Sequence, residues 1–320
     1  MSTIVASDAS ESVAVIQPRG NPMNRGKLRA VWLLLTPFVV LYFFTYALPL
    51  LYALMESFFR ERRSGLGIGG GERTFVAFSN YVEAIQMPEF REGVGRVLLL
   101  GIVQVPVMLG LALLLALAID ALSDKYAGFA RFAAFLPYAV PGVIAAILWA
   151  FLYLGGTSPF VALFNSMHID VDFFSPKVVL WSMANIITWT WTGYNMIIIY
   201  SSLKSIPTEL YEAAALDGAS PVQIAWRIKI PLVTPALFLT GVFSIIGTVQ
   251  LYSEPMILRP FSKAITASYT PNMAVQNVAF ALNDYGLAAA MAVILALGTA
   301  LLTFIFTKLT GGMTTKKAKG

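Results

Sequence analysis

Six long stretches of the 320-residue chain carry no Asp, Glu, Lys or Arg: residues 30–55, 97–119, 132–155, 178–203, 230–253 and 285–307. Each reaches about 20 residues or more, the length a helix needs to cross a hydrocarbon core of about 30 Å. Backbone N–H and C=O groups find no water in that layer, so only helices and closed barrels span it. The stretches are rich in Leu, Ile, Val, Phe and Ala without the even strand spacing of a barrel, so helices are expected. Composition agrees, with 58% of residues in the AVILMFWYC set, 12% charged and a mean hydropathy of +0.73. Soluble domains hold about 45–50% apolar and about 25% charged residues, which excludes an ordinary soluble enzyme. The absence of cysteine removes thiolate metal sites and thiol chemistry and leaves the redox compartment open. The expected fold is therefore all-α, a polytopic membrane protein with six transmembrane helices.

A seventh neutral run, residues 264–283, has the length but carries Thr266, Ser268, Thr270, Pro271, Asn272, Gln276 and Asn277. Those groups are costly against lipid, so a loop with a surface or re-entrant helix is expected. The N-terminal residues 1–29 lack an apolar core and read as a disordered tail. The first apolar run starts too late and runs too long for a cleavable signal peptide. Residues 30–309 then form the membrane domain, with a loop at 204–231, and residues 310–320 form a basic tail.

Six spans put both termini on one side. Thirteen Lys and Arg fall there: Arg19, Arg25, Lys27, Arg29, Lys125, Arg131, Lys204, Arg227, Lys229, Lys308, Lys316, Lys317 and Lys319. Of the nine on the other side, six (Arg60, Arg62, Arg63, Arg73, Arg91, Arg96) belong to the first outer loop and run against the trend. With that loop set aside, the positive-inside rule places both termini in the cytoplasm. The same loop bias accounts for the net charge of +5 without a nucleic-acid partner.

The loop at 206–231 reads I-P-T-E-L-Y-E-A-A-A-L-D-G-A-S-P-V-Q-I-A-W-R-I-K-I-P. A first helix is expected over 209–216, with Glu209 and Glu212 where the helix dipole favours acids. Gly218 suits a left-handed stop. Ser220 offers an N-cap, Pro221 fits the first helical position, and Gln223 completes a capping box. Pro231 is expected to end the second helix and lead into the next span.

These residues resemble the signature loop of the membrane subunits of ATP-binding-cassette (ABC) importers, E-A-A-x3-G-x9-I-x-L-P. Glu212, Ala213, Ala214, Gly218, Ile228 and Pro231 stand at the matching positions, and Ile230 replaces the usual Leu. Further segments (F-L-P-Y-A-V-P at 135–141, W-T-G-Y-N at 191–195, Y-G-L-A-A-A at 285–290) are similar to the carbohydrate-importing, maltose-permease-like subgroup. The resemblance covers most of the chain from about residue 30. It implies a type I importer permease (MetI-like) fold, a prokaryotic inner or plasma membrane location, a second homologous permease, two ATPase subunits and an extracytoplasmic binding protein. By the same resemblance, the loop is the coupling helix seated on an ATPase, ATP and Mg belong to that partner, and this chain is a transport subunit and not an enzyme.

The spans carry almost no titratable group in their interiors, which argues against proton coupling. Polar residues gather in the fourth span (Ser182, Asn185, Thr188, Trp189, Thr190, Trp191, Thr192, Tyr194, Asn195) and the fifth (Ser244, Thr248, Gln250, Tyr252, with Glu254 at its outer end). Hydroxyls and amides beside aromatic faces suit a neutral, many-hydroxyl ligand such as a sugar. The family resemblance implies that positions near Trp189, Thr192, Gly193, Met196 and Thr248 line the pathway. The expected pathway set is thus Trp189, Thr192, Gly193, Tyr194, Asn195, Met196, Thr248, Gln250 and Tyr252. Such residues also serve helix packing and interfacial belts.

Other motifs carry little. Gly65, Gly67 and Gly70 spell G-x-G-x-x-G without the strand or βαβ unit a nucleotide site needs, and without the Lys-Ser/Thr of a P-loop. The lone His168 reads as a solvated loop residue, and Pro106, Pro137 and Pro141 as kinks or hinges. Two rival readings are a self-sufficient channel or sodium-coupled carrier, and an intramembrane enzyme. The second finds only scattered carboxylates (Glu56, Asp120, Asp124, Glu254) and no catalytic or metal-binding pair.

Overall fold

The computed structural model describes residues 25–62, 72–156 and 158–317. Most of the expected tail and the G-x-G-x-x-G run lie outside the described residues. The chain divides after Tyr52 into two compact units. The first holds α1 (Arg25–Tyr42), a π-helical turn (Phe43–Ala47) and the start of α2 (Leu48–Glu56). Trp32, Leu33, Leu34 and Phe38 are exposed, as lipid-facing positions require. Thr36 and Thr45 donate their hydroxyls to the Trp32 and Leu41 carbonyls at 2.6 and 2.7 Å, so neither presents an unmet polar group to lipid.

The second unit begins with a departure from the all-α expectation. Strands β1 (Phe59–Arg62) and β2 (Glu72–Phe75) pair antiparallel in the first outer loop, with Phe59 opposite Phe75. Then come α3 (Ser79–Gln86), α4 (Pro88–Asp120), α5 (Asp124–Ala139), α6 (Gly142–Tyr153), α7 (Pro159–Ser166) and α8 (Val179–Lys204). After these follow α9 (Glu209–Leu216), α10 (Pro221–Ile224), α11 (Ile230–Val249), α12 (Ser253–Leu258), α13 (Pro271–Gln276) and α14 (Tyr285–Lys317). The last helix therefore continues into the segment expected to be a basic tail.

Among the described residues, four helices are long and apolar enough to cross a membrane: Val31–Glu56, Pro88–Asp120, Pro221–Val249 and Tyr285–Thr310. The third neutral run is not one straight span. Val140 and Pro141 are extended, and α5 meets α6 at 91°. The ring of Pro141 disfavours a helical Val140, so the helix stops at Ala139 although the sequence stays apolar.

Helix α8 is long but too polar to stand among the four, because it lies in the middle of the unit against α4, α5, α6 and α11. Thirteen of its 26 residues are buried, so protein replaces lipid around its Ser, Asn and Thr side chains. Small residues permit the close approach: Ala112 and Ala116 of α4 share a core cluster with Met196, Ile199 and Leu203 of α8.

The seventh neutral run forms a loop with a short helix, as expected, but that helix is buried and does not lie on the surface. Its helix α13 and the following π turn (Asn277–Ala281) bury Ala274 and Val278 against α3, α4 and α14, and Met273 against α6, α8 and α12. The polar residues are used internally. Thr270 donates to the Leu251 carbonyl at 2.8 Å, and Asn272 donates to the Gln250 carbonyl at 2.8 Å. Residues costly in lipid thus satisfy the frayed end of α11.

Candidate functional site

A cavity of about 220 Å³ opens between α8, α11 and the α11–α12 junction. Ile187, Trp191, Tyr194 and Asn195 line it from α8, and Phe243, Ser244, Gly247 and Thr248 from α11. Met108 of α4 and residues 250–254 complete the wall. Of the nine expected pathway residues, Tyr194, Asn195, Thr248, Gln250 and Tyr252 line this cavity. The other four lie elsewhere. Thr192 is buried and donates to the Thr188 carbonyl. Gly193 packs on the Ala134 backbone of α5, Met196 belongs to the core, and Trp189 meets Trp149 edge to face at 5.9 Å.

Behind the cavity sits Gln104, 2% exposed, which the polar census of the fourth and fifth spans did not include. Its amide nitrogen donates to Thr188 Oγ1 at 3.3 Å, and its amide oxygen lies 3.4 Å from the Thr248 hydroxyl. Thr248 also faces the Ser244 carbonyl at 2.9 Å, so its single proton is shared between two acceptors. A lone amide in the otherwise apolar stretch 97–119 of α4 was the available signal. Asn195 donates to the Trp191 carbonyl at 3.1 Å, which leaves its amide oxygen for a ligand.

The aromatic side of the cavity is organised from the break in the third run. Tyr138 stacks on Tyr194 at 4.8 Å and meets Trp191 edge to face at 5.2 Å. No Lys, Arg or His lines the cavity, and its one carboxylate is Glu254, in α12 beyond the end of the span. Burial pushes the Glu254 carboxyl above its ordinary value, opposed by a hydrogen bond from its own backbone. Rings, amides and hydroxyls of this kind can bind and stack a neutral polyhydroxy compound.

The loop at 204–231 forms the second site. Helix α9 carries Glu212 and Ala213 exposed, and Gly218 adopts φ +82° at its end. The capping box is complete, with Ser220 N–H donating to Gln223 Oε1 at 2.8 Å and Gln223 N–H to Ser220 Oγ at 3.3 Å. Pro231 does not end the second arm. The helix runs unbroken from Pro221 to Val249, because the chain widens into a π turn (Ala225–Lys229) just before the proline. There Ile230 N–H donates to the Ala225 carbonyl, one residue further back than in an α-helix. The wider turn lets the backbone pass the ring; the same device precedes Pro49, where Leu48 N–H reaches the Phe43 carbonyl. Ala214, Gly218 and Ile228 line a hollow of about 380 Å³ between the arms, with Asp217 and Arg227 at its edge. Leu216, Val222 and Trp226 stand 89%, 66% and 68% exposed, an apolar surface of the kind that meets a partner.

A cavity with amides and hydroxyls in a largely apolar wall, joined by a continuous helix to an exposed and preorganised loop, fits a membrane permease. The family model for the inner membrane component of binding-protein-dependent transport systems matches residues 108–314. The chain belongs to that family and is a permease subunit of an ABC importer. It is 29% identical over 258 residues to the diacetylchitobiose uptake system permease protein NgcF of Streptomyces coelicolor, covering 74% of this chain and 72% of that protein. It is 27% identical over 285 residues to the lactose transport system permease protein LacF of Rhizobium radiobacter, covering 86% and 91%. The bacterial alginate ABC transporter, solved in complex with an alginate pentasaccharide-bound periplasmic protein, has a chain of the same fold. Its TM-score is 0.77 at 18% identity, over 90% of this chain and 97% of that one.

Proposed function

We propose that the chain conducts a neutral carbohydrate across a prokaryotic inner membrane, together with a second homologous permease, two ATPase subunits and an extracytoplasmic binding protein. Six spans carry the pathway: α1 with α2, α4, the broken pair α5–α6, α8, α11 and α14, with both termini cytoplasmic. The observation that carries the reading is the loop, whose signature residues sit on two capped arms continuous with the cavity wall. The expected coupling residues are Glu212, Ala213, Ala214, Gly218, Ile228 and Pro231, seated on the ATPase that holds ATP and Mg. The carbohydrate class draws support from the aromatic and amide cavity and from the named substrates of the relatives.

The test is assembly and uptake with the subunits encoded beside this chain. Glu212→Ala is expected to lower ATPase co-purification by about tenfold, on the order of 1.4 kcal/mol of docking energy, and to abolish ATP-driven sugar uptake. Uptake by the chain alone in liposomes without ATP would overturn the reading.

A further inference from the structure

Outside its signature residues, the loop is tied to the bundle through one carboxylate. Asp120 is the last residue of α4, and its side chain is 8% exposed. Its Oδ1 pairs with Lys204 Nζ at 2.9 Å and its Oδ2 with Lys229 Nζ at 2.5 Å. Lys204 is the last residue of α8, and Lys229 closes the π turn that leads into α11. The Lys229 ammonium also lies 4.7 Å from the Tyr211 ring of α9. Four elements therefore meet at one acid: the ends of α4 and α8 directly, the second loop arm through Lys229, and the first arm through Tyr211. Apolar anchoring of the arms is only partial, since α9, α10 and the π turn have no fully buried residue and Ile224 and Ile228 are half-buried. Neither Asp120 nor the two lysines belong to the signature.

We infer that Asp120 is a positioning residue for energy coupling, holding the loop rigidly to the ends of the two helices that carry Met108 and the Trp191–Asn195 wall of the cavity. The loop has a covalent route to the third wall, because the π turn continues into α11. The ionic node supplies the route to α4 and α8. Without it, a push on α9 moves α11 alone; with it, all three walls of the cavity move together. This inference rests on the permease reading above. Removing the buried acid also leaves the largely buried Lys229 ammonium uncompensated, the costly way to break such a cluster.

Two measurements test it on the full chain in lipid nanodiscs. Hydrogen exchange over residues 205–231 is expected to accelerate about tenfold in Asp120→Asn and in Lys229→Met, by local opening. The core of α4 and α8 should keep its protection, and Asp120→Glu should exchange like the parent. Lys229→Met cuts only the loop's tie, so it reads the same contact should Asp120→Asn fail to fold. Unchanged exchange in both variants overturns the inference.

The second measurement uses the complete transporter. The chain has no cysteine, so Ser244→Cys reports the cavity by maleimide labelling, located by peptide mass. In that background, adding ATP and Mg is expected to change the labelling rate about fivefold, as closure of a cavity by a population shift would. Asp120→Asn should bring the response below about twofold with the ATPase subunits still bound, and Asp120→Glu should restore it. A full response in Asp120→Asn overturns the inference. If the parent chain binds no ATPase subunit, the permease reading fails instead, while the exchange comparison still decides whether Asp120 holds the loop.

Discussion

At Gly193 a single hydrogen sets how closely two helices pass. A Cβ there would lie 2.1 Å from the Ala134 carbonyl oxygen of α5, so Gly193→Ala must push α5 and α8 apart. The expected cost is about 1–3 kcal/mol, read as a lowered thermal unfolding midpoint of the purified chain in detergent. Gly298→Ala is the control, since a Cβ there meets nothing within 4 Å; it should be neutral or stabilise by up to about 1 kcal/mol. Glu254 supplies a pH signature. Its folded carboxyl holds its proton above the ordinary value of 4.5 because burial disfavours the charge. Between that value and the raised one, the unfolded chain is the more ionised. Stability therefore falls as pH rises through this window and is level above it. Glu254→Gln should flatten that limb of the midpoint curve, measured from about pH 4 to about pH 8. These roles are the least visible in the sequence. Gly193 stood among the expected pathway residues on the family resemblance, and nothing local reveals that Ala134 comes up beside it.

At the scale of the element, local chemistry was legible wherever it closed on itself. The α9 helix, the Gly218 turn and the Ser220–Gln223 box all depend on residues within a few positions of one another, and they formed as expected. Gly218→Ala should cost about 1–2 kcal/mol for placing a Cβ in the left-handed region. Ser220→Ala should cost about 1 kcal/mol for the lost cap. Both should show as faster proteolytic cleavage within 209–224. The elements that misled were those where one residue overrode a long pattern: Pro141 broke an apolar run, and a π turn carried the helix past Pro231. The first outer loop makes a related point. Its arginines run against the positive-inside trend, but Arg60 pairs with Glu83, Arg73 lies 2.6 Å from Glu56 and Arg96 donates to the Tyr269 carbonyl at 3.1 Å. Those three hold folded elements together, so they record tertiary pairing and not sidedness alone.

For the whole molecule, cavity and loop should fail separately. Trp191→Ala, at a rim position 41% exposed, is expected to lower sugar uptake about tenfold, within the worth of one lost stacking contact and its burial. ATPase co-purification should be unchanged, whereas Glu212→Ala lowers both readouts. Equal loss of co-purification in the two variants would contradict the separation. The sequence by itself determined that this chain lives in a membrane, that long apolar helices make up most of it, and that it carries a capped loop of signature spacing. Each of these follows from one-dimensional quantities: the length of uncharged runs, local capping chemistry and motif spacing. Only the tertiary structure decided that α8 is polar because other helices shield it, and that the run after residue 264 folds inward to satisfy the end of α11. It also decided which of the polar residues share a cavity and that Asp120 meets two lysines far along the chain. Burial and charge pairing are properties of neighbours in space, and the order of residues along the chain does not contain them.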